Sequence, residues 1–246
     1  IELGKVAYLQ SDLSLSRSLI NEGLTIMRTI GRKQGQAVTL NILGVIAGEV
    51  GDRVAQQAFL QESLSIVQQI GDRLGTAFLL LNLGSMASAQ GDFETARNQI
   101  STGLQILQTM GEQATYAEGL LNLGGVELLQ GDYIAARQRA KESLAILRSL
   151  GSNIFIVLVL VQLEWIAALL EDDFEAAQAA LEEGLSLARE MDNSVLVGQA
   201  IMGQGHLALE KGDHASALDK YRLALKDLRG NDAGRMIVPM GILGMI

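Results

Sequence analysis

Six times an apolar helical stretch runs into a Gly-Asp-type turn. The turns are Ser11-Asp12, Gly51-Asp52, Gly91-Asp92, Gly131-Asp132, Asp172-Asp173 and Gly212-Asp213, spaced 40 residues apart with a single 41-residue step. A fixed period of this length specifies a stacked array in which each unit touches only its neighbours, not a globular enzyme core. The expectation is one continuous stack over residues 1–246, built from about six such units. It overrides the one or two separate domains that length alone would suggest.

Residues 72–111 show what one unit builds. Leu79, Leu80, Leu83 and Met86 recur at helical spacing and predict a first helix from about Asp72 to Gln90. Gly91 can take a left-handed C-cap conformation and Asp92 can cap the next helix. The second helix carries Phe93, Ala96, Ile100, Gly103, Leu104 and Leu107 on one face and ends near Gly111. Two antiparallel helices with a tight link form the unit. Scarce aromatics, a single proline (Pro239) and abundant Leu and Ala agree with helix throughout.

Small residues say how the helices meet. Gly4, Gly44, Gly84, Gly124, Gly205 and Gly244 recur near the end of each first helix. A mid-helix glycine costs roughly 1 kcal/mol relative to alanine. Six of them are a large share of a typical stability of about 5–15 kcal/mol, so close helix–helix approach must offset the loss. The opposing positions are small as well: Ala96 and Gly103, Ala136 and Ser143, Ala177 and Gly184, Ala217 and Ala224.

Leu83-Gly84, Gly91-Asp92-Phe93, Ala96 and Gly103, echoed by Leu123-Gly124, Gly131-Asp132-Tyr133, Ala136 and Ser143, resemble the tetratricopeptide repeat. The resemblance spans nearly the whole chain and implies an all-α, right-handed solenoid of stacked antiparallel helix pairs. Departures are Gln56 and Ser16 at the alanine position, Glu164 at the glycine position, and no proline closing each unit. The 40-residue period exceeds the family's usual one, which implies longer helices. Leu81–Gly84 and Leu121–Gly124 read Leu-Asn-Leu-Gly, similar to sensor regions of bacterial signal-transducing ATPases and LuxR-type activators. Both ends of the chain read as parts of a first helix. No polar capping helix precedes or follows them, so the sequence reads as a piece of a longer protein or as one that self-associates by stacking.

Charge narrows the partners. The net charge is −9, and residues 171–211 carry −7 of it. No dense basic stripe exists, so neither nucleic acid nor an anionic membrane is an expected partner. The absence of cysteine excludes disulfides, thiolate catalysis and thiolate-bound metal, and suits a cytoplasmic setting. The most apolar run, Ile154 to Val161, is too short to span a bilayer and reads as a buried helix.

The resemblance implies that first helices line a concave face where ligands dock. Carrying the repeat register across gives Asn41, Val45, Leu81, Asn82, Ser85, Leu121, Asn122, Gly125, Val161, Trp165, Met202 and His206 as candidates. Residues 37–50, 77–90, 117–130, 157–170 and 198–210 contain no Lys or Arg. The asparagines for a carboxylate clamp are present and the cations are absent, which disfavours that mode. What remains is an apolar groove with amides, to which Leu128, Leu158 and Leu209 could contribute, suited to an apolar helix or an extended peptide. Core packing competes for each leucine.

Glu164 breaks the repeat beside Trp165, and the facing helix is unusually small at Ala176, Ala177, Ala179, Ala180 and Gly184. The expectation is that those small residues make room for Glu164 and Trp165. Local rule-breaking can mark function, though drift in one repeat explains it too. The acidic run Glu171, Asp172, Asp173 and Glu175 sits at a helix start, where it favours capping over metal binding. His206 and Glu210 share a helix face, and with His214 they are too few for a structural metal. No nucleophile–base constellation, phosphate loop or paired catalytic carboxylates appear. The sequence therefore reads as a non-catalytic scaffold, with no cofactor, that binds a protein or peptide with an apolar face. The rival reading is a regulatory domain in which a small effector bends the stack for an attached ATPase or DNA-binding domain.

Overall fold

The structure, a computed structural model, describes residues 1–9, 12–169 and 174–230. Among them are twelve α-helices and no strand. The helices fall into two compact units, the first running from Ile1 to Glu112 and the second beginning at Gln113. In the first, α1 (Glu2–Leu9) pairs with α2 (Leu13–Thr29), α3 (Lys33–Glu49) with α4 (Arg53–Gln69), and α5 (Arg73–Ala89) with α6 (Phe93–Met110). In the second, α7 (Gln113–Leu129) pairs with α8 (Tyr133–Leu150), α9 (Asn153–Leu169) with α10 (Phe174–Glu190), and α11 (Ser194–Glu210) with α12 (His214–Gly230). Each unit is thus three helical hairpins laid side by side, and the fold is an all-α helical-repeat solenoid.

The turns follow from local chemistry. Gly91 has φ +79°, and Asp92 accepts the Thr95 backbone N–H at 3.1 Å. The same Asp cap closes at Leu15, Ala55, Ala135 and Ser216. The turns from second to first helices use glycine as well, at Gly31, Gly71, Gly111 and Gly151. A left-handed residue therefore recurs at about half the expected period, twice per repeat. Between α10 and α11 the left-handed place falls to Asp192 (φ +51°), and Asn193 caps α11 through the Leu196 N–H. The turn at Asp172-Asp173, Ser11, Glu171 and the segment holding Pro239 and Gly244 lie outside the described residues.

The glycine register does bring backbones together. A Cβ on Gly44 would fall 2.9 Å from Leu60 Cδ2, and one on Gly84 would fall 3.0 Å from the Ala96 carbonyl oxygen. Opposite these, glycine and serine alternate for a physical reason. A Cβ on Gly103 would meet the Ala77 carbonyl at 3.0 Å, whereas Ser63 and Ser143 donate hydrogen bonds to the carbonyls of Ala37 and Ala117 at 2.8 Å. Ser16, at the alanine position, likewise donates to the Gly4 carbonyl at 2.8 Å. Gln56, the other departure there, folds its amide over Gly48, where a Cβ would lie 2.7 Å from Gln56 Nε2. The core between the helix layers is Leu and Ile: Ile20, Leu40, Leu43, Leu60, Leu83 and Met86 form one cluster of the first unit.

Candidate functional site

In the first unit, α3 and α5 lie side by side and present a mixed surface. Asn82 Nδ2 donates to Asn41 Oδ1 at 3.2 Å, bridging the two helices. Val45 and Ser85, a turn or so further along, are half-buried like the asparagines. On the other side stand Val38 and Phe78, 46% and 40% exposed. Because α3 and α5 are each clamped between second helices, their remaining face offers amides and apolar groups, and residues 37–50 and 77–90 bring no Lys or Arg to it. Val38 and Phe78 fall outside the candidates read from sequence. They sit one turn before Asn41 and Asn82, so following the open face backwards along the helix would have found them.

Three of the sequence-derived candidates do not face outward. Leu81, Leu121 and Val161 retain 2%, 5% and 7% of their surface. Leu81 fills the space that Gly103 leaves, with its Cδ2 3.2 Å from where a glycine Cβ would sit. Val161 packs with Ala177, Leu181 and Leu207. Leu128 and Leu158 are buried too, while Leu209 is exposed. The same register that offers Asn41 on the surface thus turns inward in the next repeats, since the helix stripe serving the neighbouring hairpin is wide.

In the second unit, Asn122, Gly125, Met202 and His206 are half-buried. Gln162 is buried and reaches back to α7, with Nε2 3.5 Å from the Leu121 carbonyl and close to the open faces of Gly124 and Gly125. Trp165 belongs to α9, and its side chain lies outside the described part.

Glu164 is not among the groups that Gly184 of α10 faces. Gly184 faces Leu160 and Val157, 3.8 Å from its missing Cβ. Glu164 turns instead to α11, where Oε1 lies 3.1 Å from His206 Nδ1 and Oε2 lies beside Gly203. The side chain is fully buried, and Oε2 has no hydrogen-bond partner. Burial pushes the Glu164 carboxyl above its usual range, against the pull of His206. His206 Nε2 is 3.7 Å from Glu210. No group of three or more residues suited to a metal ion exists among the described residues. None of the described helices is long and apolar enough to cross a membrane.

No protein-family model and no curated protein sequence matches the chain. Solved structures do. BtubC from P. vanneervenii superposes with a TM-score of 0.72 at 16% identity, covering 92% of this chain and 94% of its own. A Rap conjugation gene regulator of plasmid pLS20, in complex with the Phr* peptide, gives 0.77 at 16% identity over 93% of this chain and 62% of its own. A signal transduction ATPase with a tetratricopeptide repeat sensor from Pyrococcus horikoshii gives 0.68 at 14% identity over 92% and 35%. The chain is a TPR-like helical-repeat protein. At these identities the likeness is one of fold, and it includes the sensor regions of such ATPases that the Leu-Asn-Leu-Gly segments resemble.

Proposed function

We propose that this TPR-like protein binds a protein or peptide along the open faces of its first helices and performs no catalysis itself. The observation that carries the reading is the Asn41–Asn82 bridge set one turn along from exposed Val38 and Phe78. Amides that can turn to a peptide backbone, flanked by apolar anchors, form the composition expected of an extended-peptide or helix groove. Large apolar side chains grouped on one open face also mark interaction surfaces. The complex of a Rap regulator with the Phr* peptide supports a peptide ligand on this kind of scaffold. Asn122, Gly125, Met202, Trp165 and His206 are the candidates of the second unit, taken by itself.

The test is affinity capture from the source cell with the wild-type chain, Phe78→Ala, Asn82→Ala and Trp165→Ala as baits. A partner held by wild type and lost from the variants, with helicity unchanged by circular dichroism, supports the reading. Identical captured sets for all four baits refute it. A second reading, an effector-sensing regulatory domain, draws support from the shared fold of an ATPase's repeat sensor. It is distinguished by a small molecule that shifts the chain's thermal midpoint in the absence of protein partners.

A further inference from the structure

Glu164 stands where the other repeats place the contact glycine, and it occupies the layer between α9 and α11 as a fully buried carboxyl. From α11 come His206, at 3.1 Å, and Glu210, which acts on it at longer range. From α12 comes the Tyr221 hydroxyl, whose proton is held more tightly because of Glu164 and Glu210, after burial. The nearby α10 side chain, Leu181, is apolar, and it packs with its Cδ2 2.6 Å from where a Gly203 Cβ would lie. Gly203 itself leaves only 3.4 Å between that position and Glu164 Oε2, so the pocket is closed around the second oxygen.

We propose that Glu164 and His206 form a proton-operated latch that holds α9 against α11 and sets the open face on which Met202 and His206 lie. The link to ligand binding rests on the function proposed above; the latch itself does not. One proton satisfies the pair in either of two placements. On Glu164 Oε2 it removes the charge from the orphaned oxygen, with Oε1 accepting from His206 Nδ1–H. On His206 it gives an imidazolium between the carboxylates of Glu164 and Glu210. Removing that proton leaves an ionised carboxylate buried with one neutral donor and one bare oxygen, an arrangement that favours exposure to water.

The sign follows from the raised carboxyl. A group that binds its proton more tightly when folded contributes stability that is complete below its ordinary value of 4.5 and is lost as pH rises through the folded value. The latch is therefore closed in acid and loosens towards alkaline pH.

Amide hydrogen exchange of the whole chain between pH 5.5 and 8.5, expressed as protection factors, reads the latch directly. Wild type should lose several-fold more protection in α9 and α11 across this range than Glu164→Gln does. Should Glu164→Gln fail to fold, Glu164→Leu restores an apolar residue to this buried position and carries the same comparison. Equal pH profiles for wild type and variant overturn the latch. Since no ligand enters these measurements, they can fail while the proposed binding stands, and the reverse.

Discussion

Gly84 and Ile100 compete for one place: a Cβ added to Gly84 would lie 2.5 Å from Cγ1 of Ile100, with the Ala96 carbonyl oxygen at 3.0 Å behind it. Ile100 is fully buried and the carbonyl belongs to a helix, so neither can retreat cheaply. At Gly184 the same addition meets Leu160 and Val157 at 3.8 Å, ordinary contact.

These two glycines therefore predict opposite outcomes for one substitution. Gly84→Ala gains roughly 1 kcal/mol of helix propensity but forces overpacking that costs about 1–3 kcal/mol, so the net is destabilising. Gly184→Ala gains the propensity term of roughly 1 kcal/mol without the clash. Urea midpoints at unchanged slope check the pair; equal shifts in the same direction would contradict the packing argument.

Serine in the glycine register makes a second prediction. Ser143 is buried, and its hydroxyl donates to the Ala117 carbonyl at 2.8 Å, joining α8 to α7. Ser143→Ala should cost about 0.5–1.5 kcal/mol, the net worth of one such bond. Ser63→Ala should match it, since Ser63 serves Ala37 identically. Loss at only one of the two sites would show that something other than this bond is at stake.

The aspartate caps give a pH dependence of opposite sign to the latch. Asp12 is held below its ordinary carboxyl range first by the Leu15 N–H, and Asp92 and Asp213 by hydrogen bonds from Thr95 and Ser216. Depressed carboxyls contribute stability that is present above 3.8 and lost as pH falls through their folded values. Helical ellipticity should therefore decline on acidification below about pH 4. Asp92→Asn, which keeps a capping oxygen but cannot titrate, should flatten that decline around α6. A variant that loses helix in acid as steeply as wild type would exclude this cap as the cause.

Much of this was legible in the chain because each requirement repeats. Gly44, Gly84, Gly124 and Gly205 announce close approach, and the aspartates after Gly51, Gly91 and Gly131 announce caps, since each recurs at one register. The second family of left-handed turns is masked by its mixed followers: Arg32, Asp72, Glu112 and Ser152 succeed the glycines there. The open face was legible only in part. Asn41 and Leu81 share a register, yet one meets solvent and the other fills the gap beside Gly103, because a first helix touches two second helices and the boundary shifts with side-chain size. The destination of Glu164 was hidden for a further reason. Its partner His206 lies 42 positions away, and α10, the expected host, is contacted through Leu160 and Val157 instead.

A second buried acid follows the same logic and gives the last prediction. Glu127 stands where Ala47, Ala87 and Ala208 occupy the register, and it is almost wholly buried, with Oε1 3.6 Å from Nε of Arg139. Arg139 covers it from α8 while remaining partly exposed and reaching Glu142 at 3.8 Å. Taking away the cation removes a charge that offsets the buried carboxylate, and breaking such a pair costs about 3–5 kcal/mol when both partners are buried. The partial exposure of Arg139 lowers that figure, to about 2 kcal/mol, by solvent screening. Glu127→Ala restores the residue type that Ala7, Ala47, Ala87, Ala167 and Ala208 supply in the five other repeats and removes the charge. Arg139→Ala should therefore lower the thermal midpoint more than Glu127→Ala, and the double variant should recover towards the Glu127→Ala value. A double variant as unstable as the sum of the two singles would mean that the pair is not coupled through charge.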